Sequence, residues 1–199
     1  MTVVNTLVKQ TWAGLRVLLV LTVLLGILYP LAVWGIARIP GLAGHAEGSI
    51  VTQNGQAAGS SLIGVDPVPA DPARDPWFHT RPSVVGPDLP SGASNKGPDN
   101  EDLVKTIGER KDAIAKREGV SPDQVPPDAV TASGSGLDPA ISVAYADLQA
   151  ARVARNTGLP LDRVKQLIAR NTSGAGIGVP GVTVLPLNLA VRAAAGGAH

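Results

Sequence analysis

The sequence predicts an α+β fold class: a single N-terminal transmembrane helix followed by one small extracytoplasmic α+β domain. Three observations predict it. Residues 17–37 form a run of 21 residues without a charge. Beyond it, a hairpin signal, amphipathic helical patterns and a terminal strand pattern alternate with turn-forming stretches. The chain's 199 residues, 44% hydrophobic and 17% charged, suffice for about one domain plus one span.

As a helix rising about 1.5 Å per residue, residues 17–37 cross the roughly 30 Å hydrocarbon core. Trp12 and Trp34 bracket the run, where indole rings suit the two interfacial belts. A cleaved signal peptide has an apolar region of only about 7 to 15 residues, and the small-residue site Gly44-His45-Ala46 lies too far past this one, so the segment reads as a retained anchor. Lys9 and Arg16 precede the run, whereas only Arg38 follows it before Arg74. The basic excess assigns residues 1–16 to the cytoplasm, 17–37 to the bilayer and 38–199 to the outside, a single-pass arrangement. Thr22, Gly26 and Pro30 recur every four residues, a stripe along which another helix could approach closely. Glycine and proline are also commoner in membrane helices generally. Pro30 removes a backbone donor and predicts a bend in the outer third of the helix.

In the outer domain, residues 49–53 and 57–64 flank Asn54-Gly55, the dipeptide that most readily supplies a tight hairpin turn. Eight prolines between residues 65 and 99 (Pro67, Pro69, Pro72, Pro76, Pro82, Pro87, Pro90 and Pro98) forbid a long helix or a central strand, and Trp77-Phe78 favours an ordered loop. Asn100 caps a helix over 101–118, with Leu103, Ile107 and Ile114 on its apolar side and Gly119 at its end. Asp138-Pro139 reads as an N-cap and first-turn proline for a second helix running to about residue 156, with Ile141, Tyr145 and Leu148 on one face and Asp147 and Arg155 opposite. A third helix over 160–170 buries Val164, Leu167 and Ile168, and residues 181–185 read as a strand. The composition supports this turn-rich picture, since 23 glycines and 17 prolines lie above the combined average of about 12%. Only Trp77, Phe78 and Tyr145 are aromatic beyond residue 35. Such a core buries less per residue than an aromatic one, and a partner is expected to stabilise it.

Composition also excludes classes of function. A net charge of +1 gives no footprint for nucleic acid. The absence of cysteine excludes disulfides, a thiolate nucleophile and sulfur-bound zinc. His45, His79 and His199 form no i, i+4 pair, so no metal site is expected. Gly92 to Gly97 opens like a phosphate loop, but Pro98-Asp99 stands where Lys-Ser/Thr is needed. Gly174, Gly176 and Gly178 follow a helix rather than a strand, which suits a flexible connection better than a dinucleotide site. Ser133-Gly134-Ser135-Gly136 precedes the second predicted helix and is the best small-ligand candidate, although Asp138 at the cap would repel an anion. Neither a nearby histidine nor a Ser-x-x-Lys pair activates these serines.

In order along the chain, these elements resemble the C subunit family of the Kdp potassium-transporting P-type ATPases. The resemblance is carried by Tyr29-Pro30, by residues 59–64 (GSSLIG), 78–83 (FHTRPS) and 91–98 (SGASNKGP), and most specifically by 130–139 (VTASGSGLDP), Gln149 with Arg152-Val153-Ala154, and 184–188 (VLPLN). The chain departs from that pattern at Ala140, where histidine is common, and at Thr183, where asparagine is usual. The resemblance implies a non-catalytic accessory subunit in the bacterial inner membrane, partnered by membrane lipid, a channel-like potassium-binding subunit, an ATP-hydrolysing subunit and a small single-span subunit. It further implies assembly of the complex and a catalytic-chaperone role that raises the ATP affinity of the hydrolysing subunit. No firmly bound cofactor is expected, and the ATP linkage comes from the resemblance alone. An external domain cannot touch cytosolic nucleotide, so such an effect passes through the span or through coupled conformational states. Ser94, Asn95, Ser133, Gly134, Ser135, Gly136, Asp138 and Gln149 are the candidate partner or ligand surface, and Thr22, Gly26 and Pro30 the candidate transmembrane packing stripe. The rival readings are a membrane-anchored envelope binding protein and an envelope hydrolase.

Overall fold

The computed structural model describes residues 2–84, 91–174 and 179–196, which divide into two units at Ser49/Ile50. The first unit is dominated by one helical rod, made of α1 (Thr2–Leu21), a π-helical stretch (Thr22–Leu28) and α2 (Tyr29–Ala37). The rod is apolar enough to cross a membrane over Val3–Ala37, a stretch that starts 14 residues ahead of the expected span. At about 1.5 Å per residue it is longer than the roughly 30 Å hydrocarbon core of a bilayer. The side chains of that stretch are not buried within the chain.

Pro30 explains the π-helical stretch. Its ring clashes with the carbonyl four residues back and it has no N–H to donate. The chain widens just ahead of it, and the Tyr29 N–H reaches five residues back to the Leu24 carbonyl. Arg16 lies over the Trp12 ring at 5.5 Å and Arg38 over Trp34 at 5.3 Å, which pairs each bracketing indole with a cation one turn later. A short helix, α3 (Ala43–Ala46), follows, and an exposed Arg38–Glu47 ion pair of 3.2 Å joins the residue after α2 to the residue after α3.

The second unit opens with the expected hairpin, β1 (Ile50–Gln53) and β2 (Gln56–Ser60), antiparallel across Asn54-Gly55. Both turn residues have positive φ, 52° and 78°, as a type I′ turn requires. The proline-rich stretch contains one 3-10 turn (Pro72–Arg74) among its described residues; Pro87 and Pro90 lie outside them. Helix α4 (Glu101–Glu118) matches the expectation at both ends. The Asn100 side chain accepts the Leu103 N–H at 3.1 Å, and Gly119 adopts the left-handed conformation that ends the helix. A one-turn helix, α5 (Pro127–Val130), leads into the remaining elements.

There the structure corrects two expectations. The residues after Asp138-Pro139 do not begin a helix: they form β3 (Ala140–Ser142), and α6 (Val143–Thr157) starts one turn later. Ser142 is the cap, its hydroxyl accepting the Tyr145 N–H at 3.0 Å. The reason is tertiary, because β3 pairs with β5 (Gly181–Thr183) and the Val184 N–H closes on the Pro139 carbonyl at 2.9 Å. The second correction is at residues 181–185, where the strand stops at Thr183 and Val184 begins α8 (Val184–Gly196). Val184, Leu187, Asn188 and Val191 are its buried positions, a helical period, and Pro186 sits in the first turn where its missing N–H costs nothing. Helix α7 (Leu161–Arg170) and β4 (Thr172–Ser173) complete a three-stranded antiparallel sheet ordered β3-β5-β4. Gly176, Gly178 and His199 lie outside the described residues.

The core lies where the sheet, α6, α7 and α8 meet, with Val153, Val164, Val182 and Leu187 sealed from solvent. Phe78 and Tyr145 are its buried aromatics, so aliphatic and alanine side chains carry most of the packing, as the composition predicts.

Candidate functional site

The extended segment at Phe78-His79 has no strand beside it, yet it is buried. Two side-chain amides replace the missing ladder. Asn188 on α8 accepts the Phe78 N–H at 2.8 Å and donates to the Phe78 carbonyl at 2.9 Å. Gln149 on α6 accepts the His79 N–H at 2.8 Å and donates to the His79 carbonyl at 3.3 Å. Backbone groups that would otherwise be desolvated without partners are thereby satisfied.

Around this clamp lies a cluster of buried charge. Arg152 on α6 donates to the Asp75 carboxylate at 2.9 Å and the Asp75 backbone carbonyl at 2.8 Å, to Glu118 at the end of α4 at 3.0 Å, and to the side-chain amide oxygen of Gln149 at 3.2 Å. Glu118 also accepts from Arg117 at 2.7 Å, and Arg117 donates to the Tyr145 hydroxyl at 3.0 Å. His79 sits between two carboxylates, with Nε2 at 2.7 Å from Asp75 and Nδ1 at 3.1 Å from Asp66. Three carboxylates and two guanidinium groups thus meet around the His79 ring. Burial works against the charge on Asp66, but the hydrogen bond and charge of His79 and the Thr80 N–H outweigh it and hold its carboxyl below the usual range. Burial pushes the Tyr145 hydroxyl above its ordinary value, against the opposing pull of Arg117.

Residues 133–138 build a separate latch. The Ser133 hydroxyl accepts the Gly136 N–H at 2.9 Å and the Asp138 N–H at 3.3 Å; that of Ser135 accepts the Leu137 N–H at 3.0 Å and donates to Asp138 at 3.4 Å. Arg81 pairs with the Asp138 carboxylate at 2.8 Å and donates to the carbonyls of Thr131 and Ala132. The Ser133 N–H holds the Pro82 carbonyl, while Ser91 and Gly92 hold the Ser135 carbonyl. The latch thus fastens three loop segments.

The sequence candidates therefore separate. Ser133, Gly134, Ser135, Gly136 and Asp138 come together, but β3 intervenes before α6, so this stretch does not sit at the start of that helix as expected. Asp138 is a salt-bridge partner rather than a helix cap. Ser94 and Asn95 lie on the loop after the latch's Ser91-Gly92, Ser94 half-buried and Asn95 exposed with a φ of 52°. Gln149, expected on a surface, is wholly buried: its amide is turned inward by the demand of the Phe78-His79 segment. Thr22, Gly26 and Pro30 are exposed in the first unit, where a Cβ on Gly26 would meet only the Thr22 methyl, at 3.7 Å. Sequence reasoning missed the roles of Asp66, Asp75, Glu118 and Asn188. The signal available was polar residues at otherwise apolar helical positions, as at Gln149 and Asn188.

Comparison with known proteins addresses the whole chain. The family model described as KdpC, K+-transporting ATPase, c chain, matches residues 11–193, which takes in most of the helical rod and nearly all of the second unit. A potassium-transporting ATPase KdpC subunit from Kineococcus radiotolerans is 46% identical over 195 residues, covering 95% of this chain and 96% of that one. The KdpC subunit of Streptomyces avermitilis is 42% identical over 209 residues, 92% and 93% of the two chains. That of Mycobacterium tuberculosis strain H37Ra is 43% identical over 190 residues, 92% and 97%.

Proposed function

The chain belongs to the KdpC family, the c chains of potassium-transporting ATPases, and on that premise we propose that it acts as a non-catalytic accessory subunit of a high-affinity, ATP-driven potassium uptake complex. The observation that carries this reading is the reach of the likeness, which includes both the apolar rod and the second unit. The rod anchors the chain in a bacterial inner membrane as a single span beside the transport subunits, through lipid and through the stripe at Thr22, Gly26 and Pro30. The second unit stands outside the cytoplasm and covers the external potassium entrance. Its partners are the channel-like potassium-binding subunit, the ATP-hydrolysing subunit and the small single-span subunit. Its task is assembly and stabilisation of the complex. Any rise in the ATP affinity of the hydrolysing subunit is transmitted through the span or through coupled conformational states, because nucleotide and outer unit occupy opposite sides of the bilayer.

Support for a binding rather than a bond-making role comes from how the polar groups are engaged. The serine hydroxyls of the latch hold backbone N–H groups, and the buried carboxylates are matched by Arg117, Arg152 and His79. Two experiments test the reading. The chain is expected to co-purify with the transport subunits after mild detergent extraction, and its deletion to abolish growth at limiting potassium. With cysteine absent from the chain, Ser94→Cys is expected to react with a membrane-impermeant thiol reagent in intact cells and Thr2→Cys is not. Labelling at residue 2 alone reverses the topology and removes the outer unit from the ion entrance.

A further inference from the structure

We propose that the open cleft beside the buried charge cluster receives an acidic segment of a partner subunit, held by Lys116 and Arg155. This deepens the accessory-subunit reading and rests on it. The cleft measures about 590 Å³ and lies between the proline-bearing loop at Pro69 and Pro72 and the facing surfaces of α4 and α6. Arg117, Arg152, His79 and Asp75 also line it. These groups are engaged with one another and with their neighbours: Arg152 is bonded to Asp75, Glu118 and Gln149, Arg117 to Glu118 and Tyr145, and His79 to Asp75 and Asp66. Nearby Asp71 is taken by Arg74.

Lys116 and Arg155 differ from these groups. Both are exposed, they stand on α4 and α6 respectively, and neither makes an ion pair among the described residues, including with Asp112 one turn ahead of Lys116. A cleft whose other charged lining groups are already paired therefore carries two cations without an ionic partner.

The engaged lining decides what kind of anion fits. A free phosphate or similar ion would need converging donors, and those of Arg152 and Arg117 are directed into the cluster. Two long, solvated side chains cannot cage a small ion, but they pair readily with carboxylates borne on a larger body. Walls of Pro69, Pro72, Ala73 and Ala113 accept the apolar part of such a segment. The concavity also favours a protruding loop over a flat membrane surface.

The test uses the full chain co-expressed with its transport subunits. Lys116→Glu combined with Arg155→Glu is expected to lower recovery of the complex about tenfold at low ionic strength, while Lys116→Arg combined with Arg155→Lys preserves it. Because both side chains are exposed, the thermal midpoint of the purified charge-reversed chain stays at the wild-type value, which separates lost docking from lost folding. Recovery of the reversed variant at the wild-type level overturns the assignment. So does a loss confined to binding of phosphatidylglycerol vesicles, which identifies lipid as the occupant. If the wild-type chain itself fails to co-purify, the accessory-subunit reading falls, and the cleft assignment with it.

Discussion

The two units treat their side chains in opposite ways. Along Val3–Ala37 the first unit leaves Leu, Val and Ile exposed. The second unit hides not only Val153, Val164 and Leu187 but also Asp75, Glu118 and Arg152. The rod is held by local backbone bonds and depends on its surroundings to cover its surface. The second unit takes its stability from contacts between residues far apart in sequence, so it is vulnerable at single positions.

That contrast is tested most severely at Arg152. Replacing it with Met leaves Asp75 and Glu118 without their buried partner, and a loss of about 3–5 kcal/mol is expected in chemical unfolding of the full chain. Gly64 comes next. Its N–H donates to the Leu137 carbonyl at 2.8 Å, and a Cβ there would collide with the Asp138 carbonyl. Gly64→Ala should therefore cost about 1–3 kcal/mol, whereas Gly97→Ala, which meets open space, should stay within about 0.5 kcal/mol in the same assay.

Acid probes the same unit more gently. Asp66 has its folded carboxyl below the unfolded value, so its contribution is fully present above the ordinary carboxylate range and fades as pH falls through the folded value. Asp66→Asn is expected to flatten the acid limb of the stability–pH curve, and an unaltered limb would remove Asp66 from that role. The smallest effect is expected in the first unit. Breaking the exposed Arg38–Glu47 pair by Glu47→Gln should change stability by less than about 1 kcal/mol, against the several expected at Arg152. A comparable loss at both sites would erase the distinction between the units.

Much of this architecture is legible locally. Asn54-Gly55 specifies its hairpin because both residues tolerate positive φ, and Asn100 and Gly119 bound α4 through bonds that lie within one turn of each end. The errors fall where two local signals compete. Asp138-Pro139 reads as a helix start, but pairing of Ala140–Ser142 with Gly181–Thr183 holds the next residues in a strand and moves the start to Ser142. At Val184-Leu185 the branched side chains suggest a strand, but burial at residues 184, 187, 188 and 191 recruits them to a helix. The candidate site was harder to read. Ser133, Ser135 and Asp138 are close in sequence and were found together, whereas Asp75, Glu118 and Arg152 come from three separate segments.

The sequence by itself determined the apolar rod, the hairpin, α4 and α7, because each depends on hydrophobic spacing, capping or turn chemistry within a few residues. Tertiary structure alone decided that Gln149 and Asn188 face inward to hold Phe78-His79, and that Asp75, His79, Glu118 and Arg152 share one buried cluster with the exposed Asp66 at its edge. The physical reason is the cost of burying unpaired polar groups. No short stretch contains both a donor and its distant acceptor, so only the folded chain fixes which of them meet.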